Sequence, residues 1–216
     1  MLQHQLRPAS GQPEGALVLL HGRGTNEFDL LPLLNALDPE RRLIGVTPRA
    51  PLELMPGSFH WYVSRAVGYP DHDTFHSTYA TLTAFLDSLP DTLGVPWSRT
   101  VLGGFSQGAV MSYAAALGTA RPAPAGLLGL SGFMPTVEGF ELDLNGREGF
   151  PVAIGHGIHD PVISVDFSRD ARRRLEAAGA DVLYSEAPVM HGIDPSFIGT
   201  LHGWLAERTR PEVVDQ

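Results

Sequence analysis

One serine stands between two glycines, each two residues away, in Gly104-Phe105-Ser106-Gln107-Gly108. Before it comes the strand-like run Thr100-Val101-Leu102-Gly103, and after it Ala109 to Leu117 reads as a helix. A serine at such a junction sits on a sharp, strained turn with its hydroxyl projecting. The glycines at 104 and 108 are then required, because strand and helix must approach closely on either side. The chemistry this predicts is nucleophilic attack. The new helix would turn unpaired N–H groups and its positive dipole end toward developing negative charge.

A serine hydroxyl attacks weakly until a base takes its proton, and the base needs an orienting group. Two downstream segments can supply both. His156-Gly157-Ile158-His159-Asp160-Pro161-Val162-Ile163 follows the strand-like Pro151–Ile154, and Met190-His191-Gly192-Ile193 follows the strand-like Asp181–Tyr184. Both fall at carboxyl ends of strands, on the sheet edge that carries Ser106. Asp160 precedes a proline in a loop and can turn inward, whereas Asp166 and Asp170 lie in a helical pattern and should face solvent. Upstream, Leu20-His21-Gly22-Arg23-Gly24-Thr25-Asn26 follows a buried strand. Glycine there lets a backbone N–H reach an oxyanion, and the Gln107 N–H would be the second donor. His21 is expected to hold its own loop by hydrogen bonding, and His202 to pack or face solvent. His156, His159 and Asp160 sit at the end of one strand and cannot converge on one ion without further ligands, so no metal is expected.

Elements that could position these groups alternate along the chain. Ala16–Leu20, Leu43–Thr47, Gly126–Leu130, Pro151–Ile154 and Asp181–Tyr184 read as strands, several continuously apolar. Phe28–Leu37, Phe75–Leu89 (closed by Pro90), Ser164–Ala178 (ended by Gly179) and Pro195–Arg208 read as helices. Repeated strand–helix order predicts an α/β fold, a mostly parallel central sheet with helices on both faces. Gln3–Arg7 would add an antiparallel edge strand within an N-terminal segment 1–15, and 211–216 would fray. The loops Arg49–Thr74 and Gly132–Phe150 are longer than connection alone requires, and their aromatic content suggests pocket walls.

A chain of 216 residues with 43% hydrophobic and 18% charged residues is expected to form a single domain, 1–216. It has no cysteine, which excludes disulfides and a thiol nucleophile, and no lysine, which excludes Schiff-base chemistry. A net charge of −9 disfavours nucleic acid and anionic membranes as partners. No stretch approaches the roughly 20 apolar residues of a membrane span, and a cytoplasmic location is expected.

The segments LLHGRGTNEFDLLPL, GGFSQGAVMS, LLGLSGFMP, HGIHDPVI with SRDARRRLEAAGADV, and MHGID together resemble the phospholipase/carboxylesterase group of α/β-hydrolases, which includes the acyl-protein thioesterases. They run from Leu19 to Asp194. The resemblance implies Ser106 as nucleophile, Asp160 as acid, His191 as base, and the Arg23 and Gln107 amides as the oxyanion hole. It implies a carboxylesterase that needs no cofactor. No long helical insertion follows Gly126–Leu130, so no large cap domain is expected and the site should be open, suiting esters of short or medium acyl chains. Trp61, Phe133, Met134 and Met190 are the expected substrate-binding side chains. Thioesterase or lysophospholipase activity is the alternative within the enzyme class, and a non-catalytic binding protein the alternative outside it. Arg23 and Thr25-Asn26 depart from the thioesterase pattern, which has a small apolar residue and an acid there, and lie closer to a bacterial esterase branch. An apolar rim around an uncapped site could support a homodimer.

Overall fold

A computed structural model describes residues 1–209. Its strands are β1 (His4–Arg7), β2 (Gly15–Leu20), β3 (Leu43–Pro48), β4 (Leu52–Met55), β5 (Ser58–His60), β6 (Ser64–Ala66), β7 (Tyr69–Pro70), β8 (Thr100–Phe105), β9 (Gly126–Leu130), β10 (Pro151–Gly157) and β11 (Asp181–Ala187). The α-helices are α1 (Leu31–Leu37), α2 (His72–Leu93), α3 (Gln107–Leu117), α4 (Val165–Ala177) and α5 (Pro195–Thr209).

Seven strands form one sheet in the order β1-β3-β2-β8-β9-β10-β11. Every pairing is parallel except that of β1 with β3. β2 is buried along its whole length and divides its side chains between two cores by strand alternation. Val18 and Leu20 pack with α2, α3 and α4 residues such as Phe75, Leu82, Met111 and Leu175. Leu17 and Leu19 face the other way, toward Leu34 and Leu37 of α1 and Leu201 and Leu205 of α5. A strand covered on both faces has to be apolar at every position, which is what its sequence shows.

Several boundaries differ from the sequence expectation. The helix expected from Phe28 begins at Leu31, because Asn26 organises a turn: its side chain accepts from the Phe28 N–H at 3.0 Å and its carbonyl from the Asp29 N–H at 3.1 Å. Pro90 does not close α2, which starts at His72 with Asp71 as its cap and runs to Leu93. Pro90 removes one helical bond near the end, and Gly94, at φ 66°, supplies the stop. The long loop expected over 49–74 contains two hairpins, β4–β5 and β6–β7. The expected fray at 211–216 lies outside the described residues.

The loops after β2, β8, β9, β10 and β11 all leave the carboxyl edge of the sheet. The connection after β2 leads to β3 on one side and the connection after β8 leads to β9 on the other, which makes a topological switch point between the glycine loop and the serine turn. No helix among the described residues is long and apolar enough to cross a membrane.

Candidate active site

Ser106 occupies the turn between β8 and α3 at φ 55°, ψ −121°, a backbone conformation that L-residues rarely adopt. The flanking glycines are obligatory for a steric reason. A Cβ on Gly104 would lie 2.4 Å from the Gly108 carbonyl carbon, and one on Gly108 would lie 1.9 Å from the Leu20 oxygen.

His191, after β11, brings its Nε2 to 3.0 Å from Ser106 Oγ and its Nδ1 to 2.7 Å from Asp160 Oδ2. An ionised carboxylate can only accept, so Nδ1 carries the proton and Nε2 is left to accept from the serine hydroxyl. Asp160 Oδ1 in turn accepts from the N–H groups of Val162 at 2.8 Å and Ile163 at 2.9 Å. Burial works against the charge on Asp160, yet hydrogen bonds from His191, Ile163 and Val162 outweigh it and hold its pKa below the ordinary carboxylate value. The rival carboxylates face solvent: Asp166 pairs with Arg169, and Asp170 with Arg173.

The glycine loop is braced from several directions. His21 Nδ1 donates to the Gly22 carbonyl at 2.7 Å, and its Nε2 accepts from the Ala50 N–H at 3.0 Å. Thr25 Oγ1 also donates to the Gly22 carbonyl, at 3.1 Å. A trans peptide points its carbonyl and N–H in opposite directions, so these bonds turn the Arg23 N–H away from His21. Burial lowers the His21 pKa, which keeps the ring neutral in this role. The Arg23 side chain is exposed and makes no hydrogen bond or ion pair among the described residues.

Trp61 is a correction to the expected pocket. It is fully buried, and its indole N–H donates to the His21 carbonyl at 2.7 Å, so it supports the glycine loop instead of facing a substrate. Phe133 and Met134 are also nearly buried, Phe133 against the Phe167 ring, while Met190 is 63% exposed beside His191.

Three supports have no obvious sequence signal. The Gln107 side chain accepts from the Trp61 N–H at 3.1 Å and donates to the Tyr62 carbonyl at 3.0 Å, tying the serine turn to the loop after β5. Ser131, buried at φ 49° after β9, donates its hydroxyl to the Gly192 carbonyl at 3.1 Å and so fixes the loop of His191. His156 lies behind Asp160, with Nε2 at 2.9 Å from the Ile163 carbonyl and 3.3 Å from Asp160 Oδ2. A polar residue directly after a strand is the only trace that Ser131 leaves in the sequence. Among the described residues, no group of three or more histidine and acidic side chains is arranged to hold a metal ion.

The model of the phospholipase/carboxylesterase family matches residues 4–207. Acyl-protein thioesterase 1 of Gibberella zeae is 30% identical over 95% of both chains. Among solved structures, the carboxylesterase of Bacillus cereus superposes with a TM-score of 0.82 at 25% identity, covering 96% of this chain and 95% of its own. Esterase PE8 does so at 0.80 and 27% identity, covering 95% and 98%. With a family match spanning nearly every described element and a mostly parallel sheet of the same architecture, the chain belongs to the phospholipase/carboxylesterase family of α/β-hydrolases.

Proposed function

We propose that the protein is a carboxylesterase that cleaves esters of short to medium acyl chains through an acyl-enzyme formed on Ser106. The observation that carries this reading is the continuous relay from Ser106 Oγ through His191 to Asp160, at 3.0 and 2.7 Å. As Oγ bonds to the ester carbon, its proton passes to His191 Nε2 and the carbonyl π pair moves to oxygen. The main-chain N–H groups of Arg23 and Gln107 stabilise that oxyanion, each donor being worth on the order of 3 kcal/mol in the transition state. When the carbon–alkoxy bond breaks, His191 returns the proton to the leaving alcohol. Water then attacks the acyl-enzyme with His191 as base, and the acid leaves with Ser106 restored. Asp160 keeps the proton on Nδ1 and stabilises the imidazolium.

Phe133, Met134 and Met190 are the substrate-contacting side chains in this reading, and the exposed rim would be the face of any homodimer, which sedimentation tests. The reading needs no cofactor and no nucleic acid, and takes the whole chain as one domain. It places the protein in the cytoplasm, which fractionation of the source cells checks. Labelling with a fluorophosphonate, followed by mapping of the adduct, tests the central claim. Modification of Ser106 in native but not heat-denatured protein is expected; native protein that resists labelling would sink the hydrolase reading.

A further inference from the structure

The chemistry above constrains where the alcohol half of the ester must sit. His191 Nε2 returns its proton to the leaving oxygen, so the leaving group has to lie on the imidazole side of Ser106. A groove of about 410 Å³ between α1 and α5 is lined by Phe105 and Gly192, the chain neighbours of Ser106 and His191. Its walls are immediate neighbours of the reacting groups. Phe105 precedes the serine, with its ring centroid 4.9 Å from that of His191, and Ile193 lies two residues past that histidine. Leu30 and Leu33 stand at the start of the helix reached from the glycine loop, and Ile198 closes the α5 side.

The lining is mainly apolar. Among the described residues, its one charged side chain is the carboxylate of Asp29, and none is a cation. A phosphorylated or carboxylated leaving group placed here would lose hydration and face a like charge. A neutral, apolar one would gain by burial, and the volume falls within the range of small-molecule pockets.

We propose that the α1–α5 groove is the leaving-alcohol subsite, and that the protein prefers esters of uncharged, apolar alcohols with a branched or ring-bearing chain. This rests on the Ser106–His191–Asp160 reading and names the alcohol half of its substrate. It also separates esterase action from lysophospholipase action, whose leaving group carries a phosphate.

The test holds the acyl group at acetyl and varies primary alcohols: ethyl, butyl and 2-phenylethyl acetates, with 2-phosphoethyl acetate as the charged member. We expect kcat/KM to rise about 10-fold or more from ethyl to 2-phenylethyl, as burial of an apolar ring predicts. The phosphorylated ester should fall below ethyl. Ala36→Trp, which fills the groove from an exposed position, and Ile198→Asn, which makes its wall polar, should each reduce the 2-phenylethyl/ethyl ratio about 5-fold. The ratio for ethyl hexanoate over ethyl acetate should not move in either variant. If Ala36→Trp fails to fold, Ile198→Asn carries the comparison alone. A flat alcohol series in protein that a fluorophosphonate still labels would overturn the subsite and leave the esterase intact. So would variants that shift the acyl ratio instead. Protein that neither labels nor turns over any ester would overturn both.

Discussion

Around Ser106 the chain leaves no room for a methyl group at Gly104 or Gly108, whereas the hairpins β4–β5 and β6–β7 leave Met55 61% and Tyr69 68% exposed. The first region is pinned by main-chain contact between β2, β8 and α3. The second is two short antiparallel pairs, each with a register irregularity. Close packing is where the proposed reaction needs fixed geometry, since small misplacements of reacting groups cost large factors in rate. The exposed side chains of the hairpins, such as Met55 and Tyr69, can change without touching the relay.

Four substitutions test this contrast. Ser106→Ala should lower kcat for ester hydrolysis by about 10⁶ while the protein stays folded, as measured by turnover and circular dichroism. Asp160→Asn comes next, with a fall of about 10⁴, because the imidazole loses the partner that fixes its tautomer. Its effect on stability should depend on pH in a set direction. The folded pKa of Asp160 is depressed, so its carboxylate stabilises the fold above the ordinary carboxylate range and loses that contribution as pH falls through the folded value. Denaturant melts of wild type and Asp160→Asn should therefore converge toward acid; a gap that widens there would refute the account.

His21→Ala touches no reacting atom. It strips the Gly22 carbonyl and the Ala50 N–H of their buried partner, which should cost about 1–3 kcal/mol of stability and about 10- to 100-fold in kcat. Because burial depresses the His21 pKa, the wild-type ring is favoured neutral, and stability should decline as pH falls below about 6.5, where the unfolded ring binds a proton. Removing His21 should flatten that decline. The smallest effect belongs to Met55→Ser on β4, expected within about twofold in kcat and 0.5 kcal/mol in stability. If Met55→Ser damaged turnover as much as His21→Ala does, the contrast between fixed site and tolerant hairpins would fail.

The parts legible in the sequence are those where one physical demand dictates residue type over several positions. Double-sided burial makes β2 apolar throughout, and the strand–turn–helix crossing demands glycine on both sides of Ser106. Order along the chain then brought Asp160 and His191 to the same edge, and the structure places them within hydrogen-bond reach of each other. Hidden from the sequence were contacts made between distant segments by single atoms. Trp61 carries an aromatic ring suited to a pocket, yet its indole donates a hydrogen bond beneath the glycine loop. The Gln107 side chain and Ser131 hydroxyl act on carbonyls 45 and 61 residues away in sequence, where no local pattern reports them. The hairpins of residues 49–74 escaped because strands of two to four residues show too little alternation to be read.

The positive φ of Ser106 also sets a limit on how robust this protein can be. A non-glycine residue held there costs roughly 1–3 kcal/mol, a sizeable part of the 5–15 kcal/mol by which a domain of this kind is stable. Glycine at position 106 would relieve that strain and is expected to melt at a higher temperature, without the hydroxyl that the proposed mechanism uses. Heat tolerance and turnover therefore compete at a single residue, and engineering for durability has to find its gains elsewhere in the molecule.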